Sequence, residues 1–139
     1  MIKSFLNKAI FIFLVLGTTF LSGCKKIEGT GGAATIEGKI MLQDYTAASL
    51  PNGAPYEGYD QRVYLIYGSG TTQSDECRTS YDGSYRFTGL RTGNYKIFVY
   101  SAIVPAPANP PNDEELIEAI TITDKKGTVT VETITAKKY

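Results

Sequence analysis

Residues 79–100 read TSYDGSYRFTGLRTGNYKIFVY, and this stretch decides the fold. Asp82-Gly83 is typical of a two-residue hairpin turn of type I′, in which both central residues need positive φ. After this turn, Tyr85 and Phe87 alternate with polar residues. A period of two places both aromatic rings on one face, so the pattern predicts a core-facing strand here.

A second turn and a second strand complete this stretch. Gly89, Gly93 and Asn94 indicate the turn. The strand that follows places Tyr95 on the core face, where its hydroxyl can bond to nearby backbone, as in the tyrosine corner of β-sandwiches. The same strand directs Ile97 and Val99 to the core and Lys96, Phe98 and Tyr100 to the opposite face. This strand is therefore predicted either to be covered on both faces or to carry an outer aromatic patch.

The pattern D-G-x-Y-x-F-x-x-L-x-x-G-x-Y-x-I-x-V resembles the signature of transthyretin-like β-sandwich modules. These are the carboxypeptidase-regulatory-like and Cna-B-like domains of bacterial secreted and surface proteins. The matching residues are Asp82, Gly83, Tyr85, Phe87, Leu90, Gly93, Tyr95, Ile97 and Val99. Thr92 stands where the family usually has Pro. The resemblance implies a sandwich fold, and it implies a spacer, stalk, adhesive or regulatory module without naming a ligand.

The N-terminal residues have the pattern of a signal peptide. A positive n-region precedes an apolar run over residues 9–16, which is too short to cross a bilayer. Residues 21–24, Leu-Ser-Gly-Cys, resemble the lipobox of bacterial lipoproteins, in which a Cys after a small residue receives lipid. The resemblance implies cleavage after residues 1–23 and a covalent lipid on Cys24, whose several acyl chains give stable membrane attachment. An ordinary signal peptide with an incidental Cys is the alternative.

The residue after Cys24 bears on the location. In diderm bacteria an Asp at this position resembles an inner-membrane retention signal, and this chain has Lys25 instead. The protein is therefore predicted in the cell envelope, lipid-anchored, with the outer membrane favoured over the inner. The sequence leaves open which side of the membrane it faces.

Length, charge and cysteine content limit what the mature protein can be. Removal of residues 1–23 from the 139 leaves 116, which suits one domain with a modest core. The removed segment holds two lysines and no acidic residue, so 12 basic and 14 acidic residues remain, with a net charge of −2. No nucleic-acid partner is expected, since that would need a clustered basic surface. With Cys24 assigned to lipid, Cys77 is predicted to be unpaired and buried as a small apolar residue.

The remaining chain predicts a tether and five further strands. Residues 24–34 are glycine-rich and predict a flexible, lipidated tether, followed by a domain over residues 35–139. The further strands are predicted over residues 35–42, 63–67, 76–81, about 118–123 and 128–136, with a short helix as the alternative near residue 115. The expected fold is all-β, a seven-stranded antiparallel Greek-key β-sandwich.

Two long loops, residues 44–61 and 103–113, follow the first and fifth predicted strands. If every strand crosses the sandwich, loops after odd-numbered strands lie at one end, opposite the tether. The two long loops and the Asp82-Gly83 turn should therefore meet far from the lipid, where exposed loops can carry a binding site.

This end supplies the candidate ligand-binding residues. They are Tyr45, Tyr56, Tyr59, Tyr81 and Asn109. Tyr among Gly, Ser and Asn makes adaptable contact surface, and its ring suits a sugar ring, although these rings could instead pack back onto the domain. Asp44, Asp60, Asp82 and Asp113 are weak candidates for calcium, which needs six to eight oxygen ligands. The lipid apart, no cofactor is predicted.

The absence of His from the chain bears on catalysis. It excludes Ser-His-Asp and Cys-His nucleophile systems and His-based metal sites. Hydroxyisourate hydrolases and intradiol dioxygenases, which are built on related sandwiches, rely on His. The sequence therefore predicts a non-catalytic binding or structural module with an envelope protein or a glycan as partner. A carbohydrate-binding surface lipoprotein and a calcium-stabilised adhesive module are the alternatives.

Overall fold

Nine β-strands make up the described part of the chain, residues 27–108 and 111–139 of a computed structural model. They are β1 (Thr30–Asp44), β2 (Tyr56–Glu57), β3 (Arg62–Tyr67), β4 (Asp75–Arg78), β5 (Ser84–Leu90), β6 (Gly93–Ala102), β7 (Asp113–Ile122), β8 (Thr128–Thr130) and β9 (Ile134–Lys138). These residues include no helix that could cross a membrane. Residues 1–26, with the predicted signal peptide and Cys24, lie outside the described residues, as does Asn109.

The strands form two sheets, and β1 is the central strand of the first. β5 and β2 pair antiparallel along one side of β1, while β8 and β9 run parallel along its other side. The second sheet has the order β4-β3-β6-β7 and is antiparallel throughout. The all-β sandwich is confirmed. The prediction of a purely antiparallel fold is wrong, because the last part of the chain runs beside β1 in the same direction.

The count of seven strands is corrected to nine for two local reasons. β2 is a short strand inside the first long loop, where the sequence has no periodic pattern that predicts a strand. The predicted strand over residues 128–136 is divided by a bulge: Thr130 pairs with Glu37 and Ile134 pairs with Ile40. Four steps on this strand therefore oppose three on β1, which separates β8 from β9.

β7 is longer than its sequence pattern indicated. It starts at Asp113 and pairs with β6 along its whole length, from Ala102 opposite Asp113 to Gly93 opposite Ile122. The alternative of a short helix near residue 115 is therefore wrong. The acidic start of β7 looked helical by composition, but the neighbouring strand decides its conformation.

The core lies between the sheets and is filled from both. Its members are Ala34, Ile36, Ile40, Leu42, Val63, Leu65, Tyr85, Phe87, Leu90, Tyr95, Ile97, Val99, Ile120, Ile122, Ile134 and Ala136. The alternation predicted for residues 85–99 is confirmed, since the residues expected to face inward are all buried. Each buried aliphatic or aromatic side chain contributes about 1.5–3 kcal/mol relative to leaving it exposed.

The opposite face of β6 carries the aromatic patch that its sequence allowed. Phe98 stacks on Tyr64 of β3 with 4.8 Å between ring centroids, and Tyr100 meets both rings edge-on at 5.7 Å. These cross-strand aromatic pairs stabilise the register between β3 and β6.

The Asp82-Gly83 turn differs from the expected type I′ hairpin. Gly83 has φ 76°, and no positive φ occurs at Asp82. Gly83 N–H donates to Ser80 O at 3.0 Å, and Ser80 N–H donates to Ser84 O at 2.8 Å. Because β4 pairs with β3 and β5 pairs with β1, the turn passes between the two sheets. Glycine is required because a Cβ at residue 83 would overlap the carbonyl oxygen of Ile40.

Tyr95 forms the tyrosine corner that its position suggested. Its ring is 1% exposed, and its hydroxyl donates to Arg91 O at 2.8 Å and accepts from Gly29 N–H at 3.0 Å. Arg91 N–H in turn donates to Gly29 O at 2.9 Å. The chain is thus attached to the core before β1 begins. The assignment of residues 30–34 to a flexible tether is corrected, because they belong to β1.

Tyr95→Phe should lower the free energy of unfolding by about 1–3 kcal/mol, because Gly29 N–H and Arg91 C=O lose a buried partner. Equilibrium denaturation measures this loss. Tyr85→Phe is the matched control: Tyr85 is 3% exposed, and its hydroxyl has no hydrogen-bond partner among the described residues. Removing that hydroxyl should leave the stability unchanged or raise it. Equal losses in the two variants would contradict the role assigned to the Tyr95 hydroxyl.

Candidate functional site

The structure brings the long loops to one end of the sandwich. This loop end comprises residues 45–61, 79–83, 103–108 and 111–112, and the end of β9 lies beside the end of β1 there. The opposite turn end comprises residues 27–29 and the short turns 68–74, 91–92 and 123–127. The expectation that the two long loops share an end is met by the strand directions. Which end faces away from a membrane stays a prediction.

Two of the predicted tyrosines meet at the loop end. Tyr59 and Tyr81 stack with 4.5 Å between ring centroids and 3° between ring planes. Tyr59 is 51% exposed and Tyr81 is 82% exposed. Two aromatic rings from different loops are thus held parallel to each other in solvent. We call them the tyrosine pair.

The backbone beneath the tyrosine pair is fixed by buried and charged contacts. The buried Thr79 accepts a hydrogen bond from Gln61 N–H at 2.8 Å, and its hydroxyl donates to Gly58 O. The Arg78 guanidinium pairs with the Asp60 carboxylate at 2.9 Å. Asp60 follows Tyr59 directly, and Ser80 precedes Tyr81, so these contacts connect the segments that carry the two rings.

The other candidate tyrosines lie outside this pair. Tyr56 donates its hydroxyl proton to Asp44 Oδ1 at 3.0 Å, and this hydrogen bond raises the pKa of Tyr56. Tyr45 is half-buried and forms an isolated β-bridge with Pro51. Both side chains are therefore used partly in ordering residues 44–57.

A cavity of about 690 Å³, which we call the polar cleft, includes Ser80 in its lining, the residue before Tyr81. It is lined by Glu37, Gly38, Lys39, Arg78, Ser80, Ser84, Tyr85, Arg86, Thr130, Val131 and Thr133. Arg86 binds Glu37 through two nitrogens at 3.1 and 2.7 Å, and Lys39 pairs with Glu57 at 3.6 Å. The cleft offers hydroxyl and guanidinium groups that can bond to a polar ligand.

Sequence reasoning missed the polar cleft because its lining comes from β1, β4, β5 and the β8–β9 segment. Only the sheet register places Glu37 opposite Arg86 and Lys39 opposite Ser84. A second cavity of about 690 Å³ at the loop end was missed for the same reason. It includes Gln61, Tyr100, Pro107, Lys137 and Tyr139 in its lining.

The four aspartates considered for calcium do not converge. Asp44 accepts the Tyr56 hydroxyl, and Asp60 pairs with Arg78. Asp82 accepts bonds from Ser84 N–H and Oγ at 3.1 and 2.7 Å, which lower the pKa of its carboxyl. Asp113 begins β7. Across residues 27–108 and 111–139, no group of three or more carboxylate, thiol or imidazole side chains could hold a metal ion.

Comparisons with known proteins give structural likenesses without a family. No protein-family profile matches the chain, and no curated protein matches it. A proposed carbohydrate-binding protein from Pseudomonas aeruginosa is similar over 79% of this chain and 91% of its own, with 13% identity and a TM-score of 0.46. The minor pilin of Streptococcus agalactiae is similar over 78% of this chain, with 18% identity and a TM-score of 0.43. This chain spans 46% of that pilin. At these scores the likenesses support no conclusion about function.

Cys77 occupies an interior position on β4. It is an unpaired, half-buried thiol that packs against the core. Burial raises the pKa of the thiol to about 11. The interpretation of Cys77 as a small apolar residue therefore agrees with its surroundings.

Cys77 should react slowly with a disulfide reagent at pH 8. A pKa of about 11 leaves few thiolates, so the rate should be on the order of 100-fold below that of an ordinary exposed thiol. The Cys24→Ala protein, in which Cys77 is the sole thiol, gives the rate directly. The control adds Cys77→Ala and Ser80→Cys, which moves the thiol to an exposed position. Similar rates in the two proteins would contradict the burial of Cys77.

Proposed function

We propose that this protein is a lipid-anchored, non-catalytic protein of the cell envelope whose loop end binds carbohydrate. The observation that carries the proposal is the tyrosine pair, two parallel and exposed rings, one of which directly follows Ser80 of the polar cleft in the chain.

The tyrosine pair suits a sugar because both stacked residues keep half or more of their surface exposed to solvent. An aromatic face attracts apolar C–H surface, which a pyranose ring also presents. Tyrosine has few rotatable bonds, and the Thr79 and Arg78–Asp60 contacts already order its backbone. Binding then costs little conformational entropy, which favours affinity.

The polar cleft supplies the second requirement, which is a set of hydrogen-bonding groups. Ser80 offers a hydroxyl that can donate and accept, the Ser84 hydroxyl can accept while it donates to Asp82, and Arg78 offers a planar array of donors. We expect an oligosaccharide that stacks on the tyrosine pair to extend toward these groups, because Ser80 directly precedes Tyr81. Aromatic stacking with adjacent polar groups is the mixture that defines small-molecule sites.

The cleft does not have the groups that glycoside hydrolysis needs. Ordinary glycosidases use two carboxyl groups about 5–9.5 Å apart. Glu37 is the one carboxylate in the lining of the polar cleft, as far as the structure describes the chain, and Arg86 binds it. The proposal is therefore for binding without cleavage.

A protein partner is the second candidate. The outer face of the β4-β3-β6-β7 sheet exposes Tyr100 and Ile117 beside the stacked Tyr64 and Phe98. Exposed apolar patches of this kind occur at protein interfaces. This candidate would leave the tyrosine pair without a role in binding, so the variants below separate the two candidates.

Tyr59→Ala and Tyr81→Ala should each weaken glycan binding about tenfold or more, because truncating an aromatic anchor removes its stacking contact. A glycan array with the purified protein identifies the ligand, and isothermal titration measures the loss.

The matched control for the tyrosine pair is Tyr139→Ala. Tyr139 is 53% exposed and lies at the loop end, but it is outside the pair. Its replacement should leave the affinity unchanged. The proposal fails if no glycan binds, or if all three variants bind as the parent does.

Cys24→Ala should release the protein from membranes, because the thiol that would carry the acyl chains is gone. Membrane fractionation with a detergent-partition step measures the release. Lys25→Ala, which leaves the Cys in place, should stay attached. Continued membrane attachment of Cys24→Ala would refute the lipid anchor.

A further inference from the structure

We infer that the turn end is a membrane-contacting surface that rests on anionic lipid headgroups and holds the loop end upright. This inference rests on the lipid anchor proposed above. It goes beyond that anchor because it assigns a partner and an orientation to a surface of the folded domain.

The segment between the proposed lipid and the folded domain is short. Gly29 is bonded to Tyr95 and Arg91 of the domain, and Arg91 Nη1 also donates to Ile27 O at 3.3 Å. Cys24 precedes Ile27 by three residues, which span at most about 11 Å when fully extended. A lipid on Cys24 therefore keeps the turn end within about 11 Å of the anchored residue, which is one to two headgroup layers.

The turn end carries more cations than carboxylates. The turns over residues 68–74, 91–92 and 123–127, together with residues 27–29, contain three cations: Arg91, Lys125 and Lys126. They contain two carboxylates, Glu28 and Asp124, and the Asp124 carboxylate is bonded to Lys126 N–H at 3.0 Å. Lys125 and Lys126 are exposed, and within the described chain neither forms an ion pair.

The sequence has two more cations next to the proposed lipid-bearing residue. Lys25 and Lys26 directly follow Cys24. Basic residues beside a lipid anchor are attracted to an anionic membrane surface within roughly a Debye length. Ile27, 73% exposed, adds an apolar side chain at the point where the chain reaches the domain. Charge and apolar exposure thus both match the interface of an anionic bilayer.

A turn end that rests on the membrane holds the loop end at a fixed height above the lipid headgroups. β1 runs the length of the sandwich with 15 residues, and a strand rises about 3.3 Å per residue. The loop end then stands on the order of 45 Å above the headgroups. The tyrosine pair faces away from the membrane instead of sampling all directions on a tether.

The test uses the full chain with its lipid, reconstituted in nanodiscs of phosphatidylcholine with or without phosphatidylglycerol. A nitroxide is attached at Thr72→Cys in the turn end or at Asn52→Cys in the loop end, each with Cys77→Ala. A nickel-chelating lipid reports contact with the headgroups by relaxing nearby nitroxides. Relaxation should be several-fold stronger at residue 72 than at residue 52 in the anionic discs.

The chain offers a matched charge control. Lys125→Gln with Lys126→Gln should lower headgroup contact at residue 72, since each lysine near an anionic surface contributes about a fivefold factor to the equilibrium. Lys137→Gln with Lys138→Gln removes the same charge from the loop end and should change nothing.

Two outcomes overturn the inference: equal relaxation at residues 52 and 72, or no effect of the Lys125 and Lys126 substitutions in anionic discs. Failure of the protein to enter nanodiscs would instead overturn the lipid anchor, and with it the inference. Loss of glycan binding alone would leave the inference standing.

Discussion

The arrangement of the two sheets depends on the hydrogen bonds of the Tyr95 hydroxyl. It joins Gly29, the residue before β1, to Arg91 in the turn that crosses from one sheet to the other. The core between the two sheets is formed by apolar packing, which is non-directional. A buried hydrogen bond has direction, so this one sets where β1 enters the sheet.

Once β1 is placed, the two ends of the molecule are determined. β1 is the central strand, with β5 and β2 on one side and the parallel β8 and β9 on the other, and the polar cleft takes its lining from both sides. The long loops then have only one end available to them. The tyrosine pair forms there because Gly83 and Gly58 both approach the backbone of Ile40, which brings the two loop segments together.

The sequence predicted the local features that depend on period and turn chemistry. The alternation of Tyr85, Phe87 and Tyr95 identified buried positions, because a strand has a period of two in any sheet. It could not predict which strands pair, because pairing depends on contacts distant in sequence. Asp82-Gly83 therefore looked like a hairpin, although β4 and β5 belong to different sheets. The Gly-rich residues 30–34 looked like a tether for the same reason, since their partner is β5.

The tyrosine pair is poorly explained by stability. Exposed rings bury little apolar area, so their stacking contributes only about 0.5–1.5 kcal/mol. Asp60, which follows Tyr59, has φ 55°, a left-handed conformation that costs energy in a residue other than glycine. The fold keeps this conformation through the Arg78 ion pair and the bond from Asp60 N–H to Thr79 O at 3.2 Å. The left-handed turn at Asp60 is therefore stabilised by specific contacts, and it places Tyr59 in solvent against Tyr81.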